Sequence, residues 1–286
     1  MKLRWVYARR HRYRERLGLH YPVFNGMCLV AHVAPDNSAV LPSALLTILP
    51  TVTFVSLIAP DAAWTVPALA LLALALASLA LALCTEPGLL HNAPPDDTEG
   101  KGRRPRRTTH VLVDGERCEL AAFRAKMCRQ TENCVEDFDH YCPWVGNAVG
   151  RRNYRFFIAF VSSTALLSLV VCAGSVFELL ERTGPKHGKL KWSSIMLMVL
   201  VGYTLVVLCS VSSLLCYHAR LISINQTTNE NIRGTYYSAR NPHDRGAARN
   251  CANFFCRPVP PSRVNSFIGE QISVDDEEDA KGVEMV

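Results

Sequence analysis

Residues 62 to 84 read AAWTVPALALLALALASLALALC and contain no charged side chain. About 20 apolar residues carry a helix across a bilayer, whereas a soluble helix of that length keeps a polar face. The same reading applies to 37 to 60 (NSAVLPSALLTILPTVTFVSLIAP), 156 to 177 (FFIAFVSSTALLSLVVCAGSVF) and 192 to 217 (WSSIMLMVLVGYTLVVLCSVSSLLCY), none of which holds a charge. The pattern predicts an all-α polytopic membrane protein. Its four transmembrane helices form a hairpin over 37–84 and a second pair over 155–217, with a polar insert between the pairs.

Lys2, Arg4, Arg9, Arg10, Arg12, Arg14 and Arg16 precede the first span, and Lys101, Arg103, Arg104, Arg106, Arg107, Arg151 and Arg152 separate the second from the third. Positive residues accumulate on the cytosolic side of spans, so both termini and the insert are expected in the cytosol. The loop over 178–191 then faces the lumen or exterior. The N-terminal 16 residues are too basic, and too short of an apolar run, for a cleavable signal peptide. In this orientation the glycosylation sequon Asn225-Gln226-Thr227 stays unmodified. The net charge of +6 lies in clusters beside the spans, and no nucleic-acid recognition module is visible. Anionic membrane lipids, not nucleic acid, are the expected partner. The tail leaves the choice among Golgi, endoplasmic reticulum and plasma membrane open.

The chain divides into a basic N-terminus (1–36), the transmembrane hairpin (37–84), a flexible basic linker (85–109) and a compact module (110–154). The second helix pair (155–217), a polar C-terminal region (218–258) and an acidic, disordered tail (259–286) follow. Within the module, HVLVDGERCEL reads as a hairpin turning at Asp114-Gly115.

Of the eleven cysteines, Cys84, Cys172, Cys209 and Cys216 lie in or at the ends of spans, where cysteine serves as a small apolar residue. Cys118, Cys128, Cys134 and Cys142 lie in the insert. Disulfides are disfavoured in the cytosol, which leaves metal binding or catalysis. Their spacings of ten, six and eight residues lack the close pair that structural zinc sites use. Asp139-His140-Tyr141-Cys142 instead places a base and an acid within three residues of a thiol. A thiol is little ionised at neutral pH and needs an imidazole to take its proton. A carboxylate can orient that imidazole and stabilise its cation.

The stretch CVEDFDHYCPWVGNAVGRRNYRFF, residues 134 to 157, resembles the signature of the DHHC-type protein S-acyltransferases (palmitoyltransferases). Cys134, Phe138, Asp139, His140, Cys142, Pro143, Trp144, Asn147, Gly150, Asn153 and Tyr154 are among the matching positions. Thr85-Glu86-Pro87-Gly88 is similar to the family's Asp-Pro-Gly motif, Thr227-Thr228-Asn229-Glu230 to its Thr-Thr-x-Glu motif, and NPHDRGAARNCANFF from Asn241 to its C-terminal motif. The resemblance implies an acyl-CoA-dependent enzyme with no bound cofactor. Cys142 would take the acyl group from palmitoyl-CoA or another long-chain acyl-CoA, His140 would act as base and Asp139 would orient it. Partners would be protein substrates with juxtamembrane cysteines. Trp144 would wall the thioester or anchor at the interface, and Arg151, Arg152 and Lys126 would meet CoA phosphates or lipid headgroups. Thr228, Glu230 and Asn250 would support the site.

The family binds two structural zinc ions through eight Cys and His ligands, and here those positions fall on Asp114, Arg117, Met127, Cys128, Thr131, Cys134, Tyr141 and Ala148. Only Cys128 and Cys134 remain as remnants, so no metal is expected. Apolar packing of Val111, Leu112, Val113, Leu120, Phe123 and Phe138 is expected to hold the module instead. A catalytically inactive relative serving as a membrane scaffold or chaperone, and a metal-binding membrane protein, are the competing readings.

Overall fold

The computed structural model describes residues 20–23, 28–31, 39–58, 61–92, 110–113, 116–119, 124–183 and 191–263. Most of the basic N-terminus, the linker from 93 to 109, the acidic tail from 264, Leu120 and Phe123 lie outside the described residues.

Four long helices form where the charge-free blocks stand: α1 (Val40–Ile58), α2 (Ala62–Cys84), α3 (Tyr154–Thr183) and α4 (Trp192–Ser223). Each is long and apolar enough to cross a membrane, by length and composition. Asp61, the residue before α2, starts that helix by accepting the Ala63 N–H at 2.9 Å. Pro50 lies inside α1 and Pro67 inside α2. In α1 the hydroxyls of Thr47 and Thr51 bond back to the carbonyls of Ala44 and Thr47, which satisfies them where no water competes. Leu41, Leu49, Val66, Val199 and Val206 point outward, as residues meeting hydrocarbon do.

Inside, α3 packs along both α2 and α4. One apolar cluster joins Phe54, Ala68, Leu167, Val171, Leu197 and Leu200. A second joins Leu79, Ala82, Phe157, Ile158, Val161 and Ile222 to Cys142, Val145 and Val149 of the insert. The insert is thereby packed onto one end of the bundle.

The membrane part is all-α, and the insert adds short antiparallel strands. A separate pair, β1 (His20–Val23) with β2 (Cys28–Ala31), precedes α1. The main sheet comprises β3 (Leu89–Asn92), β4 (His110–Val113), β5 (Glu116–Glu119), β6 (Lys126–Cys128) and β7 (Asn133–Val135), in the order β5-β4-β3-β7-β6. In its β4–β5 hairpin Val113 stands opposite Glu116, and the expected turn residues Asp114 and Gly115 lie outside the described residues. Within the stretch expected as a flexible linker, residues 89–92 form strand β3 of this sheet. Glu86 is buried, and its Oε2 accepts the N–H groups of Gly88 and Leu89 at 2.7 and 2.8 Å. Leu89 and Leu90 pair with Val135 and Cys134.

Candidate active site

The last strands, β8 (His140–Cys142) and β9 (Asn147–Val149), form a hairpin in which His140 faces Val149, Tyr141 faces Ala148 and Cys142 faces Asn147. Pro143 to Gly146 make the turn. Gly146 adopts φ +70 and donates its N–H to the Cys142 carbonyl at 2.9 Å, a left-handed position that glycine takes at little cost. Successive strand side chains alternate between faces. Cys142 and Val149 therefore enter the cluster built by the helices, and His140 shares the Cys142 face. Tyr141 and Ala148 fall on the opposite face, in a small cluster with Leu89, Cys128, Val135 and Phe138.

Asn147 and Asn153 fasten the hairpin to the end of α2. Asn147 Nδ2 donates to the Leu83 carbonyl at 3.0 Å, and Asn153 Nδ2 donates to Ala82 and Ala148 carbonyls at 3.1 and 2.8 Å. On the other flank, the Ala39 N–H donates to the Pro143 carbonyl and the Ser43 hydroxyl to that of Trp144, both at 2.8 Å. The turn is thus clamped to the start of α1, with the Trp144 side chain 54% exposed beside it.

Asp139 is 1% exposed, and its carboxylate is used twice. Oδ2 accepts from His140 Nδ1 at 2.7 Å, and Oδ1 accepts the backbone N–H of Thr228 at 2.7 Å. Burial opposes ionisation of Asp139, but the hydrogen bond and charge of His140 and the Thr228 N–H prevail and hold its carboxyl below the usual range. For His140, burial opposes the cation, whereas the bonds to Asp139 and to the Cys142 thiol and the charges of both favour it. The imidazole is raised to about 9. With Nδ1 committed to Asp139, Nε2 is left for Cys142. Cys142 itself is 6% exposed and faces the apolar side chains of three helices. The row has a strong base, a buried carboxylate partner and a thiol directed at hydrocarbon, which suits nucleophilic attack on a thioester attached to an apolar chain.

Thr228 belongs to α5 (Thr228–Ile232), started by a capping box in which Thr227 and Glu230 satisfy each other's backbone N–H groups. Glu230 also accepts Arg124 Nε at 2.7 Å, and Arg124 extends to the Asn225 side chain at 3.3 Å and to Asp137 at 3.7 Å. Burial opposes the charge of Glu230, but the Arg124 hydrogen bond leads the effects that lower its carboxyl. Arg124, Asp137 and Asn225 all have positive φ, at 49, 46 and 46. Three left-handed residues without glycine's freedom thus meet at one guanidinium, a strain that the surrounding bonds must sustain. Spacing gives no hint of Asp137 or Asn225, because their partners lie far along the chain.

Arg151 and Arg152 are ion-paired with Glu136 and Glu86. Arg152 Nε also donates to the Pro260 carbonyl at 2.9 Å. Lys126 is half-buried on β6. Asn250, on α6 (Ala247–Cys256), donates to the Ser223 carbonyl and Asp244 and accepts the Arg245 N–H, so it joins α6 to the end of α4.

The residues at the family's zinc positions do not fit two zinc ions. At four of these positions Met127, Thr131, Tyr141 and Ala148 offer no imidazole or thiolate ligand of the usual kind. Among the described residues, no three His, Cys, Asp or Glu side chains form a group that could hold a metal. Cys128, Tyr141 and Ala148 pack together as apolar neighbours, and burial pushes the Cys134 thiol up to about 12.

Residues 116–235 match the family model described as DHHC palmitoyltransferase. The chain is 41% identical over 145 residues to "Probable protein S-acyltransferase 6" of Arabidopsis thaliana, covering 50% of this chain and 35% of that protein. It is 34% identical over 214 residues to "Palmitoyltransferase ZDHHC14" of Mus musculus, covering 63% and 43%. It is 37% identical over 183 residues to "Palmitoyltransferase ZDHHC18" of Homo sapiens, covering 57% and 46%. The chain thus spans less than half the length of each of these relatives.

Proposed function

We propose, for a chain that carries a DHHC palmitoyltransferase domain over residues 116–235, that it is a protein-cysteine S-palmitoyltransferase. It transfers a long-chain acyl group from acyl-CoA to Cys142 and then to cysteine thiols of membrane-associated proteins. The observation that carries this reading is the Asp139–His140–Cys142 row, closed at one end by the Thr228 N–H and packed at the other against an apolar cluster between helices.

In the first half-reaction His140 takes the Cys142 proton and Sγ attacks the thioester carbonyl. The C–S bond to CoA breaks, and CoA leaves with the proton from His140. In the second, His140 takes the proton of the incoming thiol, whose sulfur attacks the acyl-enzyme; Cys142 leaves and is reprotonated. Asp139 stabilises the imidazolium in both. Each acyl methylene withdrawn from water contributes about 0.8 kcal/mol, so the chain runs between the helices where Leu79, Phe157 and Val161 stand. Trp144 forms the rim of the site at the membrane surface. Arg151 and Arg152 chiefly hold the insert through their carboxylate partners and, with Lys126, lend positive charge to the side where CoA phosphates arrive.

The insert and both termini face the cytosol in this reading. The engagement of Asn225 fits that orientation, since its Nδ2 donates to the His243 carbonyl at 2.8 Å and a glycan would have to share that nitrogen. Both zinc ions have been given up, and the cluster of Tyr141, Ala148, Cys128 and Phe138 holds the insert in their place.

Incubation of the purified chain with a clickable palmitoyl-CoA tests the function. The expected result is a hydroxylamine-sensitive label that is lost in Cys142→Ser. A folded chain that takes no label would instead be an inactive scaffold. Elemental analysis of the same preparation is expected to give far less than one zinc per chain, and a strong chelator should change neither labelling nor melting. Stoichiometric metal would reverse the zinc assignment.

A further inference from the structure

His218, on α4, is 2% exposed and has had no part in the chemistry above. Its Nδ1 lies 2.8 Å from the Tyr154 hydroxyl. Its ring centroid is 5.9 Å from that of His140 and 5.1 Å from that of Phe157. Phe157 in turn stands edge-on to His140 at 5.2 Å. The His140 ring is therefore tethered to Asp139 at one nitrogen and bordered by Phe157 and His218, and His218 is itself held by Tyr154. One hydrogen bond alone leaves an imidazole free to tilt about that bond. The aromatic border removes this freedom.

The ionisable groups around His218 are Tyr154 on α3, Tyr217 on α4 at 5.5 Å between centroids, and Asp139 and His140 of the insert. From α6, Phe254 closes on Tyr154 at 5.2 Å, and Cys251 borders the same cluster. A cation on His218 would be buried without a carboxylate in contact and would repel the imidazolium that forms on His140. A ring that stays neutral can still occupy the Tyr154 hydroxyl. A phenylalanine would fill the space and leave that hydroxyl without its partner.

We propose that His218 is a positioning residue for acyl transfer, a neutral imidazole that Tyr154 pins and that holds the His140 ring in the orientation meeting Cys142. This rests on the acyltransferase reading. A loosened His140 exchanges a proton with Cys142 less well, so acylation leans more on added base and its acid limb moves upward. The signature is a displaced pH profile, which simple loss of folded protein does not produce.

The experiment measures single-turnover self-acylation of the full chain with palmitoyl-CoA across the neutral pH range. In His218→Phe the acid limb moves upward and the rate at neutral pH falls about 10- to 100-fold, with an unchanged dependence on acyl-CoA concentration. His218→Asn, whose amide reaches the Nδ1 position but sets no ring beside His140, displaces the limb as well. Tyr154→Phe displaces it in the same direction as His218→Phe but less. A His218→Phe profile that superimposes on wild type, or that is scaled down without moving, overturns the inference. If His218→Phe does not fold, Tyr154→Phe and His218→Asn decide it: an unmoved limb in either counts against it. A wild-type chain without label sinks the acyltransferase reading and this inference together, whereas labelled wild type with unmoved profiles sinks the inference alone.

Discussion

Asp139 carries two duties through one carboxylate, and separating them is informative. Asp139→Asn keeps the shape of the side chain and removes the charge that favours the His140 cation. Acylation of Cys142 should fall by about 10²- to 10⁴-fold, read as the initial rate of hydroxylamine-sensitive labelling. Stability should respond as well. The His140 imidazole is raised from an ordinary value of 6.5 to about 9, so its pairing stabilises the folded state fully below pH 6.5 and fades as pH rises through about 9. The gap in melting temperature between wild type and Asp139→Asn should therefore be widest near pH 6 and narrow toward pH 9. A gap that widens over that range would contradict the pairing. The sequence displays Asp139, His140 and Cys142 because they are neighbours in it. His218 is silent there, because a lone histidine near the end of an apolar block shows nothing about what it will touch.

At the scale of elements, the β8–β9 hairpin explains how one short stretch serves two purposes. Alternation along the strand sends Cys142 toward the helices and Tyr141 toward the small cluster with Ala148, so substitutions on the Tyr141 face leave the surroundings of the proposed nucleophile intact. The Tyr141–Ala148 pair is visible in the sequence only as two departures from the family pattern; the register that joins them is tertiary information. α5 is held in a comparable way. Glu230 caps the helix and accepts Arg124, and side chains 12% and 13% exposed form that pair. Glu230→Ala leaves the guanidinium with poorer partners and should cost about 3 kcal/mol, measured by thermal melting in detergent. Labelling should fall too, because the Thr228 N–H loses its fixed place against Asp139. Full activity in a destabilised Glu230→Ala would separate α5 from the catalytic row.

For the whole molecule, the helices must meet closely far from the insert as well as beside it. Gly174 on α3 is where this is tightest, since a Cβ there would come within 2.5 Å of Phe54 Cζ and 3.0 Å of Trp64 Cδ2. Phe54 is fully buried and has no room to retreat. Gly174→Ala should destabilise the bundle by about 1 to 3 kcal/mol, seen as a lower melting temperature with the site chemistry intact, and a melting temperature equal to wild type would refute this packing. The four spans, the β4–β5 hairpin and the Asp-His-Cys row follow from the sequence by itself, because hydropathy, turn residues and local spacing act over a few positions. The ordered path of residues 86–92, the knot of Arg124 with Asp137, Asn225 and Glu230, the commitment of Arg151 and Arg152 to carboxylates, and the approach of His218 to His140 were decided only by the tertiary structure. Each depends on partners brought together from distant parts of the chain, and burial settles whether a charge is matched there or left for a ligand.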